Sequence, residues 1–209
     1  MISPEQFVKV LLKNKLEYFV GVPDSVLAEF THYIDDIKKG VRYLISANEG
    51  SAVGLAAGYH LATKKIPLVF LQNSGLGHAL NPLTSLADER VYSIPMIFLL
   101  GQRGAPNIPD EPQHKKIGPE LFKILEAHKY KYFKLKKKNY VQNINKAIRL
   151  SKKRSCPVFL VVDKNFFLKT KKKTQSLKNK KIIRINYLEE IFKSKFLNNF
   201  ILIGGTGFV

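Results

Sequence analysis

The sequence predicts an α/β domain built on a doubly wound parallel sheet with helices on both faces. Continuous apolar runs at 67–72, 95–100 and 158–162 are typical of strands that are buried on both sides. Amphipathic helical patterns alternate with these and other strand-like runs, as they do in parallel sheets with helical crossovers. The predicted domain covers residues 1–163.

The first half of this domain has three predicted helices and three predicted strands. Ser3 precedes Pro4 where the first helix begins, and Asp24 is expected to cap the second. Apolar periodicity and runs of β-branched or aromatic residues locate the other elements. In chain order, the predicted elements cover 3–15, 18–22, 24–37, 41–46, 49–63 and 67–72.

The second half continues the alternation from a glycine-rich turn after the third strand. The predicted elements are a helix ending near 87, the strand at 95–100, a helix ending near 128, and elements at 131–135, 139–153 and 158–162. Ligands of such sheets lie beyond the carboxyl ends of the strands. We therefore expect one site from the loops at 21–25, 47–50, 73–78 and 101–114.

The segment 47–58 places Glu49 at the start of a helix made almost entirely of Gly, Ala and Ser. A glycine inside a helix costs roughly 0.5–1 kcal/mol relative to alanine. Gly54 and Gly58 therefore indicate that another backbone, a second subunit or a ligand comes very close. Glu49 also matches the helix dipole, which is a purely structural interpretation.

The net charge of +19 lies entirely in the C-terminal part of the chain. The first 128 residues carry 13 basic and 13 acidic residues, whereas the last 81 carry 22 and 3. The lysine runs fit either solvated faces and a linker or a polyanion-binding patch. Residues 164–185 are predicted to form a basic linker, and 186–209 the incomplete start of a second α/β domain.

The composition argues against several classes of protein. The single Cys156 excludes an internal disulfide and a cysteine-based metal cluster, and its apolar neighbours predict a core thiol. Neither a signal peptide nor a membrane-spanning apolar run is found, so we expect a cytoplasmic protein without a membrane partner. The lysine runs contain few aromatic residues and almost no arginine, so nucleic acid is not the expected partner.

Six segments, in order along 1–163, resemble the thiamine-diphosphate-dependent 2-oxo acid decarboxylases, most closely the phosphonopyruvate and sulfopyruvate decarboxylase group. They are GVPDS at 21–25, NEGSA at 48–52, QNSGLG at 72–77, NPLTSL at 81–86, RG at 103–104 and DEPQH at 110–114. Each segment alone is weak, but the ordered set is specific. The chain departs from the pattern at His78, where related sequences usually carry Asn.

The resemblance implies that residues 1–163 form the pyrimidine-binding domain, which holds the aminopyrimidine ring of thiamine diphosphate. The diphosphate is held through Mg²⁺ by a second domain with a Gly-Asp-Gly motif, which this sequence lacks. The Mg²⁺ ligands are therefore expected on the missing domain or on a partner subunit, with no metal ligand here. A homo-oligomer through the small-residue helix is the other expected assembly.

The implied reaction is decarboxylation of an anionic 2-oxo acid, namely phosphonopyruvate to phosphonoacetaldehyde and CO₂, by a half-enzyme that needs its partner. An α-type subunit of sulfopyruvate decarboxylase and a truncated, inactive remnant are the alternatives. A polyanion-binding module that uses the lysine-rich tail is a third class.

The resemblance also assigns roles to particular residues. Glu49 would hydrogen-bond the ring nitrogen of the aminopyrimidine, and the predicted catalytic residues are Glu49, His114 and Asp24. The predicted cofactor contacts are Glu49, Gln72, Asn73, Ser74, Gly75 and Gly77. The predicted substrate contacts are Asp24, Ser25, Arg103, Gln113 and His114, with Arg103 as an anion clamp. Purely structural roles stay open for Asp24 as a helix cap, His114 as a surface residue and Arg103 in a surface salt bridge.

Overall fold

The computed structural model describes residues 1–37 and 40–169. Its strands are β1 Tyr18–Gly21, β2 Arg42–Ile45, β3 Leu68–Gln72, β4 Met96–Gln102, β5 Lys131–Lys134 and β6 Pro157–Asp163. Its α-helices are α1 Pro4–Lys13, α2 Ala28–Asp36, α3 Glu49–Thr63, α4 Leu76–Pro82, α5 Ile117–Ala127 and α6 Tyr140–Arg154. A 3₁₀ turn at Asn73–Gly75 precedes α4, and a π-helical segment at Leu83–Ala87 follows it.

The six strands run parallel in the order β2-β1-β3-β4-β6-β5, which confirms the predicted sheet. The chain passes from β1 to β2 on one side and then returns to place β3 on the other side of β1. The sheet therefore changes its winding direction between β1 and β3, where a crevice for ligands opens at the carboxyl ends. The loops after β1, β3 and β4 meet at this edge.

Side chains along each central strand alternate between two hydrophobic cores. In β4, Ile97 and Leu99 lie in one core, whereas Phe98 and Leu100 lie in the other. Helices α1, α2 and α6 cover the first core, and α3, α4 and α5 cover the second. Because both faces are covered, the central strands carry apolar side chains on both sides along most of their length.

Two local expectations differ from the structure. Helix α2 begins at Ala28, so Asp24 does not cap it; Asp24 instead accepts the backbone N–H of Val26 (2.5 Å) in the preceding turn. The predicted linker begins at 164, yet Phe166 and Phe167 are buried in the first core. The rest of the predicted linker, and the predicted start of a second domain at 186–209, lie outside the described residues.

The N-terminal residues tie this last described segment to the domain. The N–H of Ile2 donates to the carbonyl of Phe166 (2.9 Å), and the N–H of Leu168 donates to the carbonyl of Ile2 (2.8 Å). The ring of Phe7 packs edge-on against Phe167, with centroids 5.2 Å apart. Among the helices described, none is long and apolar enough to cross a membrane.

Candidate functional site

Glu49 stands at the first position of α3, as the sequence predicts. Asn48 caps this helix from an extended conformation, because its side chain accepts the N–H of Ser51 (2.8 Å). The cap stops the helix from beginning earlier and leaves Glu49 at its N-terminal end. Glu49 is only 8% exposed, so its carboxylate is largely sheltered from solvent.

The start of α4 and the turn before it hold the Glu49 carboxylate. Nδ1 of His78 lies 2.9 Å from Oε2 of Glu49. A Cβ atom at Gly75 would lie 2.2 Å from Oε1 of Glu49, so any side chain at 75 would displace the carboxylate. The glycine at 75 thus lets the Glu49 carboxylate lie close to the backbone of the turn. His78, the residue that departs from the family pattern, contacts this carboxylate directly.

Asn73 joins the turn after β3 to the loop after β4. It is fully buried, its Nδ2 donates to the carbonyl of Arg103 (3.0 Å), and its Oδ1 accepts the N–H of Arg103 (2.9 Å). This paired bond fixes the backbone of Arg103 relative to the 3₁₀ turn. The side chain of Asn73 is therefore buried and bound to the loop after β4.

The guanidinium group of Arg103 is held in a buried ion pair with Asp110. Its Nη2 lies 2.5 Å from Oδ1 of Asp110, and the two side chains are 14% and 7% exposed. Asp110 also accepts the N–H groups of Gly104 and Glu111, and the pKa of Asp110 is held well below its usual range by the hydrogen bond from Arg103. The Nη1 of Arg103 donates to Oγ of Ser25 (2.7 Å), which links the loops after β1 and β4.

Asp24 presents a buried carboxyl group beside this ion pair. Its Oδ1 accepts the N–H of Val26, but its Oδ2 is buried and has no hydrogen-bond partner among the described residues. This oxygen lies against Gly101, where a Cβ atom would come within 2.7 Å of it. Burial raises the pKa of Asp24 to about 6, although the backbone N–H groups and Arg103 act in the opposite direction.

This raised pKa makes folding stability depend on pH. Between its ordinary pKa of 3.8 and its folded value of about 6, Asp24 keeps a proton in the folded state that the unfolded chain loses. Stability should therefore fall as the pH rises through this window. Asp24→Asn removes the titrating group and keeps the acceptor for the N–H of Val26. The melting temperature of the variant minus that of the wild type should therefore increase from about pH 4.5 to about pH 7. Thermal unfolding at both pH values measures this gain, and an unchanged difference would contradict it.

His114 is a buried residue of the loop after β4 and not a surface histidine. It ends the 3₁₀ turn Pro112–His114, and its Nδ1 has no partner among the described residues. Burial and the positive charge of Arg103 lower the pKa of His114, which favours the neutral imidazole near neutral pH. Gly104 has φ +63°, and a Cβ atom there would lie 2.0 Å from the carbonyl oxygen of His114, so this approach requires glycine.

The predicted site residues form two connected groups. The first group consists of Glu49 and Gly75. The second consists of Asp24, Ser25, Arg103 and His114. Asn73 joins the two groups, because it shares a 3₁₀ turn with Gly75 and is bonded to Arg103. Three further predicted residues are exposed and contact neither group through a hydrogen bond within the described ranges: Ser74, Gly77 and Gln113.

Gln72, at the end of β3, likewise makes no described side-chain hydrogen bond. Two residues of the site, by contrast, had no predicted role. Asp110 anchors Arg103, and the buried Gln102 leaves Oε1 without a described partner. The opposite charges of Arg103 and Asp110, seven positions apart in one loop, were the only sequence signal for this pair. Among the described residues, no group of three or more His, Cys, Asp or Glu side chains could hold a metal ion.

Comparison with known proteins places this geometry in a family. Residues 3–127 match the family model "Thiamine pyrophosphate enzyme, N-terminal TPP binding domain". The sulfopyruvate decarboxylase subunit alpha of Methanococcus maripaludis is 28% identical over 164 residues, which cover 78% of this chain and 95% of that subunit. The phosphonopyruvate decarboxylase of Streptomyces hygroscopicus is 36% identical over 118 residues, which cover 56% of this chain and 28% of that enzyme. The chain therefore spans less than a third of the latter relative.

A solved structure supports the fold independently. An enzyme of Mycobacterium smegmatis, described as thiamin diphosphate-dependent, aligns with a TM-score of 0.60 at 22% identity and covers 81% of this chain and 32% of its own. The family match and the two relatives confirm the resemblance seen in the sequence, and with it the family's cofactor, thiamine diphosphate. The chain belongs to the thiamine pyrophosphate enzymes and carries their N-terminal TPP-binding domain.

Proposed function

We propose that this chain is the pyrimidine-binding half of a decarboxylase that acts on a 2-oxo acid with a second anionic group. Phosphonopyruvate and sulfopyruvate are the two candidate substrates, because relatives of both kinds match the chain. The observation that carries the proposal is the sheltered carboxylate of Glu49 at the start of α3. Glu49 follows β2, at the same edge of the sheet as the loops after β1, β3 and β4.

The surroundings of Glu49 fit a flat heteroaromatic ring with a hydrogen-bonding nitrogen. Its Oε1 accepts no hydrogen bond from the residues that the structure describes, and Gly75 in the neighbouring turn and Gly77 at the start of α4 add no side-chain bulk. A carboxyl group in such a sheltered place makes stronger hydrogen bonds than it does in water. Glu49 would hold a proton at the ring nitrogen, which is an electrostatic contribution fixed before the reaction begins. Thiamine diphosphate, when bound, supplies the acidic thiazolium carbon and the electron sink for loss of CO₂.

The second group of residues is suited to the substrate. Nε and Nη2 of Arg103 bind Asp110, while Nη1 binds Ser25, so a guanidinium with five N–H groups keeps others for an anion. The ion pair with Asp110 fixes the direction of this group but offsets part of its charge. The exposed hydroxyl of Ser25 accepts from Arg103 and can donate its own hydrogen to a phosphonate or sulfonate oxygen.

Asp24 and His114 are the groups that could hold or transfer a proton near this anion. Burial leaves Oδ2 of Asp24 and Nδ1 of His114 without described partners. The pKa of Asp24, raised to about 6, allows this carboxyl to exchange its proton near neutral pH. Neutral His114 would then be a hydrogen-bond partner for the substrate carboxylate or its product.

The proposal includes a partner that anchors the diphosphate through Mg²⁺. The chain covers 95% of a relative that is itself named a subunit alpha. The outer face of α3 supports close contact with another chain, because Ser51, Gly54, Leu55 and Gly58 are exposed. A Cβ atom at Gly54 or Gly58 would meet nothing within 4 Å, so packing within the described chain does not explain these glycines. Another subunit's backbone against α3 would explain them.

Calorimetric titration of thiamine diphosphate with Mg²⁺ tests this function. The full chain alone should bind weakly, and a separately encoded pyrophosphate-binding subunit should bring saturable binding and decarboxylation of one candidate substrate. Tight binding by the chain alone would contradict the proposal that a partner anchors the diphosphate. Binding without turnover for every partner and both substrates would favour an inactive remnant.

A further inference from the structure

We propose that His78 is a positioning residue that holds one oxygen of the Glu49 carboxylate and leaves the other for the cofactor. The part of this inference that concerns the cofactor rests on the function proposed above. The contact between His78 and Glu49 is independent of it. His78 is the one position where the sequence was found to depart from its family pattern, and no role was predicted for it.

The geometry distinguishes the two oxygens of Glu49. Oε2 lies 2.9 Å from Nδ1 of His78, while Oε1 faces Gly75, where a Cβ atom would lie 2.2 Å from it. An ionised carboxylate can only accept hydrogen bonds, so the contact assigns a hydrogen to Nδ1. Neutral His78 is therefore the Nδ1–H tautomer, and Oε1 is the oxygen that accepts no hydrogen bond from the described residues.

This arrangement affects orientation far more than folding. The side chain of His78 is 75% exposed and that of Glu49 10%, so solvent screens this pair from the histidine side, and its loss should cost less stability than the loss of a fully buried pair. Glu49, by contrast, has several rotatable bonds and no other described hydrogen bond to its carboxylate. Without the donor at 78, the carboxyl group would sample more rotamers, and a ligand would have to order it on binding.

Nitrogen-15 NMR of the full chain with labelled histidines tests the contact directly, because ring-nitrogen shifts distinguish the two neutral tautomers. His60 is a matched control, since its Nδ1 lies 2.9 Å from the carbonyl oxygen of Lys65, at the opposite end of α3 from Glu49. In the wild type, both rings should be Nδ1–H tautomers. Glu49→Ala should return His78 to the Nε2–H tautomer and leave His60 unchanged. An Nε2–H tautomer of His78 in the wild type, or no change in the variant, would overturn the contact.

Two substitutions at 78 then test its role in orienting Glu49. Asn offers an N–H donor at the same number of bonds from the backbone as Nδ1 of histidine, whereas Leu offers none. With the partner subunit present, His78→Leu should weaken thiamine diphosphate binding about tenfold, and His78→Asn should stay near the wild type. His78→Asn should keep the wild-type melting temperature, and His78→Leu should lower it slightly, because it leaves the sheltered carboxylate of Glu49 without a donor. Equal binding by all three proteins, or equal loss in both variants, would overturn the proposed role.

The two measurements separate this inference from the proposed function. If the wild type with its partner binds no thiamine diphosphate, the proposed function fails, and the cofactor half of the inference fails with it. If the wild type binds but the Leu and Asn variants do not differ, only the role of His78 is overturned.

Discussion

Glu49→Gln is expected to lower kcat of the enzyme reconstituted with its pyrophosphate-binding partner by about 10²–10³-fold. Glutamine has nearly the same shape, so the fold and the start of α3 should be retained. It cannot take up or release a proton, however, and so cannot stabilise a protonated ring nitrogen as the carboxyl group does. Steady-state decarboxylation of phosphonopyruvate and of sulfopyruvate measures the effect.

Glu5→Gln is the matched control for this substitution. Glu5 also lies in the first turn of a helix, α1, but it is exposed and pairs with Lys9 on the helix surface. Both variants lose one acidic charge at a helix N-terminus, so any effect of the dipole is common to them. Full activity in Glu49→Gln, or an equal loss in Glu5→Gln, would contradict the role given to Glu49.

Asp110→Ala is expected to lower the free energy of unfolding by about 3 kcal/mol, because it leaves the guanidinium of Arg103 buried without its partner. It also leaves the N–H groups of Gly104 and Glu111 without their acceptor. Urea denaturation monitored by circular dichroism gives this difference. Glu89→Ala is the control, since Glu89 also accepts two hydrogen bonds from an arginine, Arg154, but the two side chains are 38% and 43% exposed. That pair should contribute about 1 kcal/mol or less.

The loss in Asp110→Ala should also depend on pH. Arg103 holds the pKa of Asp110 well below the ordinary value of 3.8, so the folded chain keeps this carboxylate ionised where the unfolded chain would protonate it. The stabilisation is fully present above the unfolded pKa and is lost as the pH falls through the folded value. The difference between wild type and variant should therefore be constant near neutral pH and shrink in acid. A difference that persists undiminished at the lowest pH would show that the ion pair is not its source.

Elements whose signal is local could be predicted from the sequence. The three apolar runs at 67–72, 95–100 and 158–162 are the central strands β3, β4 and β6, with ends shifted by one or two residues. The start of α3 at Glu49 was also predicted, because a small-residue helix follows directly, and the structure adds Asn48 as its cap. In both cases, neighbouring residues carry the physical cause.

The prediction that Asp24 caps α2 was wrong for a related reason. An aspartate after a proline looks like a cap in sequence, but its Oδ1 accepts the N–H of Val26 and the helix begins only at Ala28. The sheltered position of its other oxygen depends on Gly101, which belongs to β4. The residues near Asp24 in the sequence therefore could not predict its contact with Gly101.

The sequence by itself therefore determined the strands, the helices, the family and the position of Glu49 at a helix start, because these depend on periodicity, capping and short ordered motifs. Only the tertiary structure decided how the side chains at the sheet edge are used. It paired Arg103 with Asp110 and Ser25, buried His114, and set His78 against Glu49. Each of these contacts depends on burial or on loops brought together by the parallel sheet. The spacing of residues along the chain predicts neither the burial nor the convergence of the loops.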